Sequence, residues 1–465
     1  MLKKLAVTLA IAPVTTGTQT LSAQQPSQPL SSRSTTAAPG LAVVLALTVV
    51  LIHSAQAQTL TVLHNFTGGQ DGAYPYAGLT MAGGGNLYGT AASGSSPNCP
   101  APGCGVVFRL THKGSGWAFN PLYSFAGGND GFNPTARVII GANGSLYGPT
   151  PEGGGGGCTY FYGVGCGTVF MLTPSPTACK TALCPWEEAV LYRFPGGSNG
   201  GSDGDRPSYG DLIFDGSGNL YGTTIVGGLL ADCNSGGCGV VYQLTPVNGG
   251  WAEDVLYPFT GGPDGAYPYA GVIFDQAGNL YGTTYYGGTP GCYEGNGCGT
   301  VFQLAPSGSG WTEKVLYTFQ NGSDGANPAG GLIFDQSGNL YGTTTSGGSG
   351  NGGTVFELTP GNGGWTLNTL YSVGGSTGSY ASLTMDAAGN LYGTTFGDGM
   401  YGYGNVFKLS PSNGGWTYTS LHDFTGVIGG ANPVGGVLID VNGNLYGTAS
   451  GGGSQGYGFV WEITP

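Results

Sequence analysis

The run Asp335-Gln336-Ser337-Gly338-Asn339-Leu340-Tyr341-Gly342-Thr343-Thr344 reads as a tight turn opening onto a β-strand. An Asp side chain accepts backbone N–H groups two residues on, and Gly supplies the left-handed position such a turn needs. The Leu-Tyr-Gly at its centre recurs with its tyrosine at Tyr88, Tyr147, Tyr221, Tyr281, Tyr341, Tyr392 and Tyr446, at spacings of 59, 74, 60, 60, 51 and 54 residues. That period is too long for one solenoid rung and suits a four-stranded propeller blade.

Each copy carries four strand-like runs. In the fifth they are Gly331 to Asp335, Leu340 to Thr344, Gly353 to Leu358 and Trp365 to Tyr371. Turn residues separate them, as in a hairpin meander. The spacing predicts an all-β, seven-bladed β-propeller with four antiparallel strands per blade. Thr59 to Phe66 matches the fourth strand of a unit (Leu316-Tyr317-Thr318-Phe319), whereas Phe459 to Ile463 matches only the third. An N-terminal strand should therefore complete the last blade and remove an open seam, placing His64 and Trp461 in one blade. The turn acids Asp215, Asp275, Asp335, Asp386 and Asp440 stand one to a turn. Calcium loops gather several carboxylates at alternate positions, so these read as turn formers, and no metal is expected.

Gly 96 and Pro 28 approach the composition of disordered chains, but Tyr 28, Phe 19 and Trp 7 supply the apolar surface that ordering requires. The formal charge is −13, and the first 57 residues hold Lys3, Lys4 and Arg33 without an acid, so the remainder is more negative still. An acidic surface with no basic patch argues against a nucleic-acid partner. Two apolar runs, Leu5 to Val14 and Leu41 to Ile52, precede Ala55-Gln56-Ala57, a small-x-small cleavage pattern. Residues 1–57 are read as an export signal and 58–465 as the propeller. The second run is too short to span a bilayer, so no membrane span is expected after cleavage, and the product is expected to be secreted. An uncleaved segment would leave it periplasmic or surface-attached.

The ten cysteines form five close pairs: Cys99 with Cys104, Cys158 with Cys166, Cys179 with Cys184, Cys233 with Cys238 and Cys292 with Cys298. Zinc needs four converging ligands, and none of His64, His112 and His422 sits beside a pair. Local disulfides follow, each contributing roughly 2 kcal/mol by loop entropy, together with an oxidising destination.

The ordered set L-Y-x-F, D-G-x-x-P-x-x-G, D-x-x-G-N-L-Y-G-T-T and G-T-V-F-x-L resembles the GloVer tandem repeat, a choice-of-anchor family of bacterial extracellular proteins, over nearly all of residues 59–465. The resemblance implies a bacterial extracellular protein and no particular activity. The sequence stops at Pro465 just after the last strand, so release is expected rather than surface anchoring.

Alternating strand direction sorts the loops onto two faces. The loops after the second strand carry four cysteine pairs, all in blades one to four, and the aromatics Tyr160, Phe161, Tyr162, Tyr285, Tyr286, Tyr293, Phe396, Tyr401, Tyr403 and Tyr457. The connections leaving the fourth strand add Tyr74, Phe132, Tyr209, Tyr267 and Tyr380. Pre-ordered tyrosine-rich loops make good binding surfaces, and aromatic platforms suit sugar rings. Tyr160, Tyr162, Tyr285, Tyr286, Tyr293, Tyr401 and Tyr403 are the candidate ligand contacts. Asp71, Asp130, Asp203, Asp264 and Asp324 could ring the channel on this face, but Asp-Gly is a common turn pair and the turn reading is preferred.

In a repeat protein a catalytic site should stand out as a departure from the pattern. His64 and His422 replace the tyrosine of L-Y-x-F on outer strands, and His112 falls in a turn beside Lys113. Glu187 and Glu188 read as edge charges. No nucleophile elbow or phosphate loop is present. The expectation is a monomeric, cofactor-free, non-catalytic propeller that binds a glycan or an extracellular protein. A structural envelope component and a propeller-based hydrolase or lyase are the alternatives.

Overall fold

The computed structural model describes residues 58–94, 99, 102–158, 165–174, 186–196, 202–229, 233, 236–288, 291–292 and 295–465; the expected export segment lies outside them. The described residues form seven four-stranded antiparallel sheets and no α-helix, with a two-stranded ribbon pairing Gly131–Phe132 with Glu152–Gly153. Blade five runs from an inner strand Ile333–Phe334 through Leu340–Thr343 and Thr354–Gly361 to an outer strand Gly364–Ser372. The other blades occupy 80–124, 139–193, 213–258, 273–318, 384–423 and 438–464. The seventh takes its outer strand from Thr59–Asn65, which sets Val62 opposite Trp461 and His64 opposite Val460. The ring closes as the chain ends imply.

Inner strands are shorter than the apolar run suggests. Asp335 has already left the ladder, since its N–H donates to the Asn339 carbonyl at 3.0 Å to close the turn.

The core lies between blades. Tyr281, Val301 and Phe319 of blade four pack against Leu332, Leu340, Phe356 and Leu358 of blade five. The phenylalanine of L-Y-x-F is the plug: Phe319 is fully buried, its ring edge-on to Phe356 at 5.3 Å. Phe66/Phe108, Phe125/Phe170 and Phe259/Phe302 repeat the contact. Such edge-to-face pairs add to the burial of the rings themselves.

Each residue of the repeat motif has a structural task. Asp335 Oδ1 accepts the N–H groups of Ser337 and Asn339 at 2.8 and 2.9 Å. Its Oδ2 accepts the Asn339 amide at 2.8 Å and the Tyr341 hydroxyl at 3.2 Å. Burial alone would raise the Asp335 pKa, but these donors outweigh it and hold the carboxyl below its ordinary value. Thr343 Oγ1 donates to the Ala381 carbonyl of the next blade at 3.1 Å, and Thr90, Thr223, Thr394 and Thr448 make the same bridge. Gly342 faces Phe356 across the ladder, where a Cβ would come within 2.6 Å of the ring. The corresponding glycine is covered in the same way in every blade, down to Gly447 beneath Trp461. Gly342→Ala should therefore destabilise the fold by about 1–3 kcal/mol through overpacking. Gly216→Ala, in an open turn with nothing near its Cβ position, should stay within about 0.5 kcal/mol. Denaturant midpoints of the two variants check this, and equal midpoints would contradict the steric account.

Candidate functional site

The D-G acids are turn clamps. Asp324 accepts the N–H groups of Gln320 and Gly322 at 2.8 and 3.0 Å and the hydroxyl of Tyr317 at 3.1 Å. Asp130 holds Tyr123 and Asp264 holds Tyr257 at 2.9 and 3.2 Å, Asp203 accepts from Tyr192, and Asp71 meets His64 Nε2 at 3.0 Å. None of these acids lines the channel. His64 also stacks on Phe119 at 4.0 Å, which makes it outer-strand packing. His422 lies edge-on to Phe424 at 5.0 Å.

Disulfides join Cys99 to Cys104, Cys158 to Cys166, Cys233 to Cys238 and Cys292 to Cys298, each in a loop after a second strand. The fifth expected bond, Cys179 to Cys184, is not among them: Cys179 and Cys184 both lie outside the described residues. Asp205 approaches Cys158 and Cys166, but both sulfurs are already in a disulfide and offer no thiolate. Four such bonds mark a protein of an oxidising, non-cytoplasmic compartment. No helix among the described residues is long and apolar enough to cross a membrane.

Glu188 is not the exposed edge charge expected from the sequence. It is half-buried and faces the preceding blade, where burial first and the Asp130 charge second push its pKa up to about 7. Glu253 and Glu313 sit at the equivalent place two residues after a tryptophan. Burial, then Asp203 and Asp254, raise the first to about 8, and burial, then Asp264, raise the second to about 7. One carboxylate oxygen on each of the three is buried without a hydrogen-bond partner among the described residues.

The candidate tyrosines separate. Tyr401 and Tyr403 are exposed on a blade-six loop and do not line the channel, while Tyr160, Tyr162 and Tyr293 lie outside the described residues. Tyr285 and Tyr286 are half-buried, with ring centroids 4.8 Å apart. Tyr285 also lies 4.8 Å from Tyr269, which stacks at 6.0 Å on Tyr209. Tyr209 and Tyr269 line a cavity of about 680 Å³ on the ring axis, walled from all seven blades, to which Tyr76, Tyr380 and Phe396 add aromatic surface; Tyr285 and Tyr286 stand behind this lining, Tyr285 packed on Tyr269. Burial, then the neighbouring phenols of Tyr285 and Tyr209, push Tyr269 up to about 12, so it remains a neutral hydrogen-bonding phenol at physiological pH.

Below the mouth, the residue before each inner-strand Leu or Val forms a collar. It is Gly78, Gly271, Gly331 and Gly436 in four blades and Ser382 in a fifth. Close approach demands the small residue, since a Cβ on Gly271 would fall 2.1 Å from the Asp211 carbonyl oxygen. The two remaining positions are Arg137 and Asp211, on neighbouring blades, joined Nη2 to Oδ2 at 2.9 Å and Nε to Oδ2 at 3.0 Å. Among the described residues they are the only charged ones in the lining. Sequence reading did not single out Tyr76, Tyr269, Arg137 or Asp211. The available signal was an alignment of the copies on the inner strand, which shows the collar position departing from small residues in only two blades.

The Gloeobacter/Verrucomicrobia repeat family matches residues 47–293, 157–364 and 291–465. The chain belongs to this family. The repeat resemblance read from the motifs is thereby borne out, and each matched stretch spans several blades of the propeller. No curated protein matches the chain. Among solved structures it is similar to the extracellular domain assigned to a hybrid two component system of B. thetaiotaomicron, at 10% identity and TM-score 0.51, over 87% of this chain. The match covers 39% of that longer structure. A fungal alcohol oxidase with copper, of the AA5 family, is similar at 12% identity and TM-score 0.50, over 87% of this chain and 75% of its own. At such identities these likenesses concern the fold alone.

Proposed function

We propose that this repeat protein is a secreted, non-catalytic glycan-binding propeller whose ligand sits at the tyrosine-lined mouth of the central channel. The observation that carries the reading is the run of rings Tyr209–Tyr269–Tyr285, with centroid separations of 6.0 and 4.8 Å, of which Tyr209 and Tyr269 line the cavity and Tyr285 backs Tyr269. Its rings are pre-positioned. Asn327 Nδ2 donates to the Tyr285 carbonyl at 2.9 Å, and Thr345 Oγ1 lies 3.5 Å from the Tyr285 hydroxyl. Little ordering entropy then remains to oppose binding. Aromatic faces pack the C–H face of a sugar, and the phenol edges hydrogen-bond its hydroxyls.

Tyr269→Ala should lower affinity for a retained oligosaccharide by about tenfold or more, in keeping with loss of a central aromatic contact. Tyr401→Ala, at an exposed position outside the cavity lining, should leave it unchanged. A glycan array followed by calorimetry on the hits reads both. Equal losses in the two variants would remove the channel mouth as the site, and release of a cleaved product would make the protein an enzyme.

A further inference from the structure

The collar is built to be small, and it tolerates a charge pair at one junction only. Four of the other six junctions are Gly–Gly or Gly–Ser, the remaining two being Gly78–Arg137 and Asp211–Gly271, so a blade junction closes without a charge pair. The two side chains are 41% and 30% exposed to the channel. An ion pair so exposed contributes at most about 1 kcal/mol to stability. Blade three places Asp211 with one residue more between Pro207 and the inner strand than blade four has between Pro268 and Ile273.

We propose that Arg137 and Asp211 are the polar anchor of the channel and hold adjacent hydroxyls on the terminal unit of a neutral glycan. The proposal rests on the glycan-binding reading above and deepens it. Asp211 Oδ1 also accepts the Arg137 backbone N–H at 3.1 Å, so the carboxylate is oriented from both sides. Arg137 uses Nε and Nη2 on Asp211, and Nη1 makes no hydrogen bond among the described residues. A donor edge and an acceptor oxygen side by side match a vicinal diol, in which one hydroxyl donates to Asp211 and its neighbour accepts from Arg137. An anionic sugar fits poorly, because Asp211 already neutralises the one cation in the described lining. The cavity is enclosed by all seven blades, so a polymer enters it by an end and not along its length. Ile139, Ile213, Ile273 and Ile333 provide an apolar wall for the sugar's C–H faces.

The test is calorimetry on the full chain with neutral oligosaccharides and their uronate-terminated counterparts, comparing Asp211→Asn, Arg137→Gln and Tyr269→Ala with the unaltered protein. Asp211→Asn and Arg137→Gln should each weaken binding of the neutral ligand about tenfold or more, with melting temperatures essentially unchanged. If either single variant fails to fold, the double variant Arg137→Gly, Asp211→Gly supplies the same reading, since it gives the collar the residue it carries in four other blades. Wild-type affinity in these variants, alongside loss of binding in Tyr269→Ala, would overturn the anchor and leave the mouth as the site. Tighter binding of the uronate-terminated ligand would overturn the neutral-sugar assignment. Failure of the unaltered protein to retain any glycan would overturn both readings.

Discussion

Removal of residues 58–66 should cost this propeller more stability than any single substitution away from the ring seam. The segment supplies the outer strand of blade seven and, in Phe66, the fully buried plug between blades seven and one. Phe66 lies 5.4 Å from Phe108 and 5.9 Å from Phe119, and His64 stacks on Phe119. Phe66→Ala alone should cost about 3–5 kcal/mol, the range for a large aromatic removed from a packed core. The full truncation also strips Phe459–Thr464 of its outer ladder partner and leaves an exposed edge open to intermolecular pairing. Calorimetry should show a large drop in melting temperature, and size-exclusion chromatography should show aggregation. Val62→Thr, at a position 42% exposed on the same strand, should change stability by less than about 0.5 kcal/mol. A truncated chain that melts with the intact one would show that the ring does not depend on this closure.

The second large effect is a loss of stability as pH rises from about 5 to about 8. Glu188 faces Tyr123, Asp130 and Arg193; Glu253 faces Tyr192, Asp203 and Asp254; Glu313 faces Tyr257 and Asp264. All three have folded pKa values, about 7, 8 and 7, above the ordinary glutamate value of 4.5. The folded state then binds more protons than the unfolded state between these limits, so stability falls with rising pH and levels off above pH 8. The carboxyls are only half-buried. After allowance for solvent screening the loss is on the order of 1 kcal/mol per glutamate. The turn acids Asp215, Asp275, Asp335 and Asp386 act in the opposite sense, because their lowered pKa values give stability that is lost as pH drops through the acid range. His64 and His422, whose pKa values burial lowers, oppose the glutamates by favouring higher pH around their titration range, so removing the three carboxylates is what isolates the glutamate contribution. The triple variant Glu188→Gln, Glu253→Gln, Glu313→Gln should flatten the fall between pH 5 and 8 while leaving the acid limb in place. A pH profile of the variant that parallels the wild type would remove these glutamates as its cause.

Much of the architecture was legible in local chemistry. A D-x-x-G-N-L-Y-G-T unit carries its own turn clamp, its core leucine and the bare glycine that accepts an aromatic from the next strand, so counting copies counted blades. Unequal strand content at the two chain ends foretold the pairing of Thr59–Asn65 with Phe459–Thr464. The D-G acids were read as turn residues from the dipeptide, although their tyrosine and histidine partners became visible only in the fold. Glu188 was misjudged because the side of a blade on which an outer-strand residue lies, and what the neighbouring blade presents there, do not follow from its own sequence.

The site was less legible for the same reason. Tyr285 and Tyr286 were picked out by loop position, and Tyr209 by the connection it occupies. That Tyr209 lines the cavity with Tyr269, that Tyr285 only backs Tyr269, and that Tyr401 and Tyr403 lie outside the lining all depend on distances between different blades. The sequence by itself determined the fold class, the number of blades and the ring closure, because hydrogen bonding and packing within a repeat act between residues near in the chain. Only the tertiary structure decided that Arg137 and Asp211, 74 residues apart, meet on the channel wall where two neighbouring blades join. That contact is created when the blades close on their axis, and the encoding of either blade alone contains no trace of it.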